Sequence, residues 1–112
     1  MIYDRIVEVF NLDTASTPLS RRLVLHSSHY YARLTVYAQR YFDAAQAGET
    51  IDGMIRVPLD GGSGLRAGQY AVPADGSVYR ITAARPDWDA DELPVVDLSL
   101  HREEGRYELF RS

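Results

Sequence analysis

Three histidines, a pair of serines and a short run of aspartates are the side chains of this chain that could do chemistry, and their spacing decides which chemistry is open to them. His26 and His29 bracket Ser27 and Ser28, while His101 stands far off in the sequence. Neighbours on an extended strand point to opposite faces, so the two histidines come together only if the strand is bulged. A zinc site takes three or four ligands, and the chain has no cysteine and no second cluster beside this pair. The pair therefore reads as surface or hairpin histidines. The same alternation argues against a Ser–His nucleophile, and no catalytic residue is assigned.

Asp87-x-Asp89-x-Asp91 has the opening of a calcium loop, but Glu92 stands where glycine is required and Leu98 where the bidentate glutamate belongs. It reads as an acidic, solvated loop with Trp88 packed on the fold or on a partner. Gly61-Gly62-Ser63-Gly64 lacks the lysine that would reach a phosphate and is read as a flexible connection. Tyr30, Tyr31, Tyr37, Tyr41 and Phe42 suit packing better than base stacking. No enzyme activity, metal or cofactor is expected from these groups.

Composition narrows the rest. The chain has 112 residues, 46% of them hydrophobic and 25% charged, enough for one domain with a single core. No apolar run is long enough for a membrane span, and no signal peptide is read, which places assembly in the cytosol. Without cysteine there is no disulfide framework. All 12 basic residues are arginine, and the formal charge is −4, so the basic patch needed for specific nucleic-acid binding is missing. Passage of DNA along an acidic wall is compatible with that charge.

The elements that must position these groups are mostly strands. Tyr3–Leu12 carries apolar residues on both faces, with Tyr3, Val7 and Val9 on one and Ile6, Phe10 and Leu12 on the other, as in a strand partly covered on both sides. Residues 13–20, with Pro18, form a loop. Residues 22–37 are β-rich and too long for one unbroken strand, which puts a bulge or turn near Ser27–Tyr31. Residues 39–48 favour a short helix with Tyr41, Ala44, Ala45 and Gly48 on one face, Gly48 serving as its cap. From Ile51 the period becomes two, with Ile51, Gly53, Ile55 and Val57 facing one side and Asp52, Met54 and Arg56 the other, until Pro58. Residues 59–68 are a glycine-rich connection. Asp75-Gly76 marks a hairpin between residues 70–72 and 78–84, with Tyr79, Ile81 and Ala83 inward. Residues 85–94 form a solvated loop, and residues 95–101 a closing strand with Val96, Leu98 and Leu100 inward. Beyond Arg102, Tyr107, Leu109 and Phe110 are too apolar for a solvated tail and make residues 102–112 a candidate extension that pairs with a neighbouring chain. The sum is a mainly β fold, a small β-barrel of about six strands with one short α-helix.

In the order and spacing of these pieces the chain resembles the head-closure, or head–tail adaptor, proteins of tailed bacteriophages and prophages. The likeness rests on the short YD-type opening strand, Arg40-Tyr41-Phe42-Asp43-Ala44-Ala45-Gln46-Ala47-Gly48 leading into Ile51–Val57, Gly76-Ser77-Val78-Tyr79-Arg80-Ile81, and Val96-Asp97-Leu98-Ser99-Leu100. It spans roughly residues 1–101, and the chain departs from the pattern at the glycine-rich residues 61–68 and beyond Glu103. The resemblance implies a non-enzymatic structural protein of the virion's head–tail junction, assembled in the bacterial cytoplasm. Such a protein forms a homo-oligomeric ring that closes the DNA-filled capsid beneath the portal and adaptor and gives the tail a docking platform. DNA passes through its channel without sequence-specific binding, and no membrane is involved. A tail-terminator or tail-completion ring and an unrelated OB-like binding barrel are the competing readings. Contacts with neighbours are expected from loop and tail residues Pro18, Leu65, Arg66, Trp88, Asp89, Asp91, Tyr107 and Phe110.

Overall fold

The computed structural model describes residues 2–34, 51–59 and 64–111. The helix expected over residues 39–48 lies outside them. Among the described residues there are seven strands: β1 (Arg5–Leu12), β2 (Arg21–Leu34), β3 (Gly53–Pro58), β4 (Tyr70–Val72), β5 (Tyr79–Trp88), β6 (Pro94–Arg102) and β7 (Tyr107–Phe110). They pair in the order β1-β4-β5-β6-β3-β2-β7, and an additional β1–β2 pairing closes the first six into a ring. The circuit closes those six strands on one another, and β2 keeps a further edge opposite β1, along which β7 lies. The six-stranded, mainly β architecture read from the sequence is the one observed.

Period-two alternation fills the ring as expected. Ile55, Val57, Tyr79, Ile81, Val96, Leu98 and Leu100 are buried with Val7, Val9, Tyr31, Leu65 and Ala71 in one cluster. Ile51 is only half-buried, and Ala83 likewise. Ala83 is displaced by an irregularity in the β5–β6 register between Ile81 and Ala83, which leaves Thr82 to donate its hydroxyl to the Ser99 carbonyl at 3.2 Å. β6 departs further from simple alternation: Val95, Asp97 and Ser99, on the face opposite Val96 and Leu98, are buried too. Met54, read as outward, is 1% exposed.

Bulges account for the remaining differences. In β1, Val7 and Val9 are buried on one face and Phe10 on the other, while Ile6 and Leu12 are exposed, so the strand is partly covered on both sides, as its composition suggested. Phe10 is buried on the face opposite Val9, and beside it the β1–β2 register slips: Val9 faces Ser27 and Phe10 faces Leu25, leaving His26 as the extra residue. β2 thus runs through 14 residues as a single strand, bulged at His26, one residue before the segment expected to break it. Phe10, Leu23 and Val72 form a second cluster against which Tyr70, Val78, Tyr107 and Leu109 pack.

The Asp75-Gly76 hairpin forms, with Gly76 at φ 81° and its N–H donating to the Pro73 carbonyl at 3.0 Å. Its strands pair Tyr70 with Arg80 and Ala71 with Tyr79. The solvated loop assigned to residues 85–94 is shorter than expected, because β5 continues to Trp88 opposite Pro94. The apolar tail pairs within its own chain: β7 lies parallel to β2, from Arg21 opposite Tyr107 to Val24 opposite Phe110. Among the described residues no helix is long and apolar enough to cross a membrane.

Candidate functional site

The β5–β6 hairpin fixes where the candidate surfaces lie. Tyr79 faces Arg102 at one end and Trp88 faces Pro94 at the other, about 30 Å away at the usual rise per residue. At the Trp88 end the turn is built around Asp89. Its carboxylate accepts the N–H groups of Asp91 at 2.9 Å and Leu93 at 3.0 Å, and its backbone carbonyl accepts that of Glu92. These bonds, the one from Leu93 foremost, hold the Asp89 carboxyl below its ordinary pKa of 3.8 against the opposing effect of burial. Glu92 takes φ 61° to complete the turn. Asp89 is 7% exposed, so this candidate contact residue spends its side chain on the local fold.

Tyr3 ties the N-terminal segment to the same turn by donating to Asp89 at 3.1 Å, and burial together with that carboxylate raises the pKa of the phenol. The segments so joined carry Ile2, Trp88 and Leu93, which are 77%, 65% and 56% exposed. Asp91 and Glu92 are exposed beside them. Apolar groups of this size standing in water, rimmed by charge, are the usual mark of a contact surface. Behind them Arg56 holds Asp97 through two bonds of 2.7 and 2.9 Å and reaches Asp87 at 3.3 Å. This pairing neutralises the buried Asp97 and fixes β3 to β6.

At the other end a groove of about 740 Å³ is lined by Leu19, Arg21, Val78, Arg102, Arg106 and Tyr107 among others. Leu19 and Ser20 form part of its wall, and the segment before β2 is tied by hydrogen bonds: Ser16 donates its hydroxyl to the Arg22 carbonyl at 3.0 Å, and Thr17 and Ser20 form a bridge. Pro18 lines an adjoining hollow with Tyr70, Arg80 and Glu103.

The eight residues singled out from the sequence therefore separate. Trp88 and Asp91 stand exposed at one end, and Pro18 and Tyr107 line hollows at the other. Arg66 is exposed in the connection before β4. Leu65 is 8% exposed and belongs to the core, and Phe110 lies half-buried with the Arg22 guanidinium 4.6 Å above its ring. Ile2 and Leu93 were not singled out, although a leucine between an acidic run and a proline is a recognisable loop-tip apolar group.

One polar cluster forms in β2. Ser27 and His29, two residues apart, share a face of the strand with His29 Nε2 2.6 Å from Ser27 Oγ, and at the bulge His26 Nδ1 comes to 2.8 Å from the same oxygen. Burial, with a smaller effect of His26, lowers the His29 pKa from 6.5, so His29 is neutral near pH 7 and can accept the serine proton in a hydrogen bond. Among the described residues no third histidine or carboxylate joins these to make a metal-binding group. No protein-family model and no curated protein matches the chain.

Proposed function

We propose that the chain is a structural protein of the head–tail connector of a tailed bacteriophage or prophage. Copies form a ring beneath the portal and adaptor, close the filled capsid and present a platform to the tail, with DNA passing through without sequence-specific contacts. The observation that carries this reading is the exposed apolar set Ile2, Trp88 and Leu93 at one end of a closed six-stranded ring. A subunit whose hydrophobic side chains stand exposed at one end of its closed strand circuit is suited to docking on neighbouring proteins of such an assembly. The resemblance supports it as well, because Gly76–Ile81 and Val96–Leu100 supply the hairpin turn and adjacent strands of that ring. Asp91 and Glu92 would repel DNA if their end of the ring borders the channel.

Complementation of a phage lacking the gene tests it. Trp88→Asp touches an exposed side chain and should shift folding stability by no more than about 0.5 kcal/mol. It should nevertheless give filled heads that leak DNA and carry no tails. Normal titres of tailed particles from phages lacking the gene would remove the connector reading.

A further inference from the structure

The six-stranded ring closes without β7, which is added to the edge of β2 opposite β1. The seat it occupies is specific. Tyr107 and Leu109 pack on the Phe10, Leu23 and Val72 cluster, and the Tyr107 ring lies 5.6 Å from that of Tyr70. Arg22 stacks on Phe110, and Arg111 clamps Glu8 through two bonds of 2.8 and 3.0 Å. Main-chain pairing along an edge with alternate side chains in pockets is a mode of recognition in which either the same or another chain can supply the strand.

The link to this strand is short. Glu103 is fixed by its N–H to the Val78 carbonyl at 2.9 Å and by Arg80 at 3.5 Å. Only Glu104, Gly105 and Arg106 then remain to carry the chain from the end of β6 to β2, two places away in the strand order, and Gly105 adopts φ 96° to make the turn. A short connection that must turn sharply favours exchange of the strand it carries, and exchange preserves every contact of the seat.

We propose that residues 107–111 of one copy occupy the β2 edge of the next, so that each subunit gives one strand and receives another. Such a contact uses different surfaces on its two sides and generates a ring when the rotation between copies closes. The proposal deepens the oligomeric part of the connector reading and rests on it.

The absence of native cysteine makes the test clean. Val24 and Phe110 are register partners, so one chain carrying Val24→Cys is co-expressed with another carrying Phe110→Cys and oxidised. Exchange gives a disulfide-linked pair at twice the 12.6 kDa chain mass that neither variant gives alone, and a covalent ladder from the chain carrying both substitutions. Arg22→Cys with Glu108→Cys, the partners two residues back, repeats the test with the Phe110 ring kept and its Arg22 stacking removed. Internal closure of both double variants to a 12.6 kDa species, with no mixed disulfide, overturns exchange. If sedimentation then shows associated copies, the ring reading stands without it. If the copies remain separate, exchange is overturned too, and the oligomeric part of the connector reading loses its support.

Discussion

The buried carboxylate of Asp97 is held by a partner that lies far from it in sequence. Asp97 is 3% exposed and is balanced by the two-pronged contact of Arg56. Removing one partner of such a pair leaves a buried charge uncompensated, so Arg56→Ala should cost about 3–5 kcal/mol in denaturant unfolding. A loss below about 1 kcal/mol would show that Asp97 is solvated by other means. His29 gives a pH dependence with a definite sign. Its pKa is lowered in the folded chain by burial, while in the unfolded chain it protonates near 6.5. Below that pH the unfolded state binds more protons, so stability falls as pH drops from 6.5 toward the folded value and levels off beneath it. Unfolding measured from about pH 7.5 to about pH 5 should show this loss in the wild type and a smaller one in His29→Gln. Parallel profiles for the two chains would refute the assignment. Neither Arg56–Asp97 nor His26–Ser27–His29 was legible in the sequence. The first pairs residues on strands whose register cannot be read from composition, and in the second the approach of His26 to its neighbour Ser27 depends on a bulge, although Ser27 and His29 share a face by alternation.

At the scale of elements, alternation located the strands and most of their inward residues. Ile55, Val57, Ile81, Leu98 and Leu100 follow from a period of two, and each is nearly inaccessible. Leu98→Ala, which empties a site at 0% exposure, should cost about 2–5 kcal/mol, measured by chemical unfolding. A change under about 1 kcal/mol would mean that the neighbouring core collapses into the space. The pattern misled where a register slips or a strand is buried twice. Thr82 interrupts β5, where its register with β6 shifts between Ile81 and Ala83. In β6 the alternation between Leu and polar residues concealed that Asp97 and Ser99 are buried as deeply as their apolar neighbours. Tyr107, Leu109 and Phe110 were recognised as too apolar for a free tail, but their partner was not, since pairing with β2 spans most of the chain.

For the whole molecule, a closed ring leaves its ends as the natural places for contact. One end carries Trp88, Leu93 and Ile2 beside Asp91 and Glu92, and the other holds the groove beside Arg21, Arg106 and Tyr107. The two lie at opposite ends of the β5–β6 hairpin. The connector account uses that separation, with one end toward the head and the other toward the tail. Its most direct test is to locate the protein in particles induced from the genome that encodes it, by mass spectrometry of purified virions and electron microscopy of their necks. The account predicts a ring of this chain between portal and tail, and filled, tailless heads when the gene is deleted. Virions free of the protein, with normal necks and full infectivity after deletion, would contradict it.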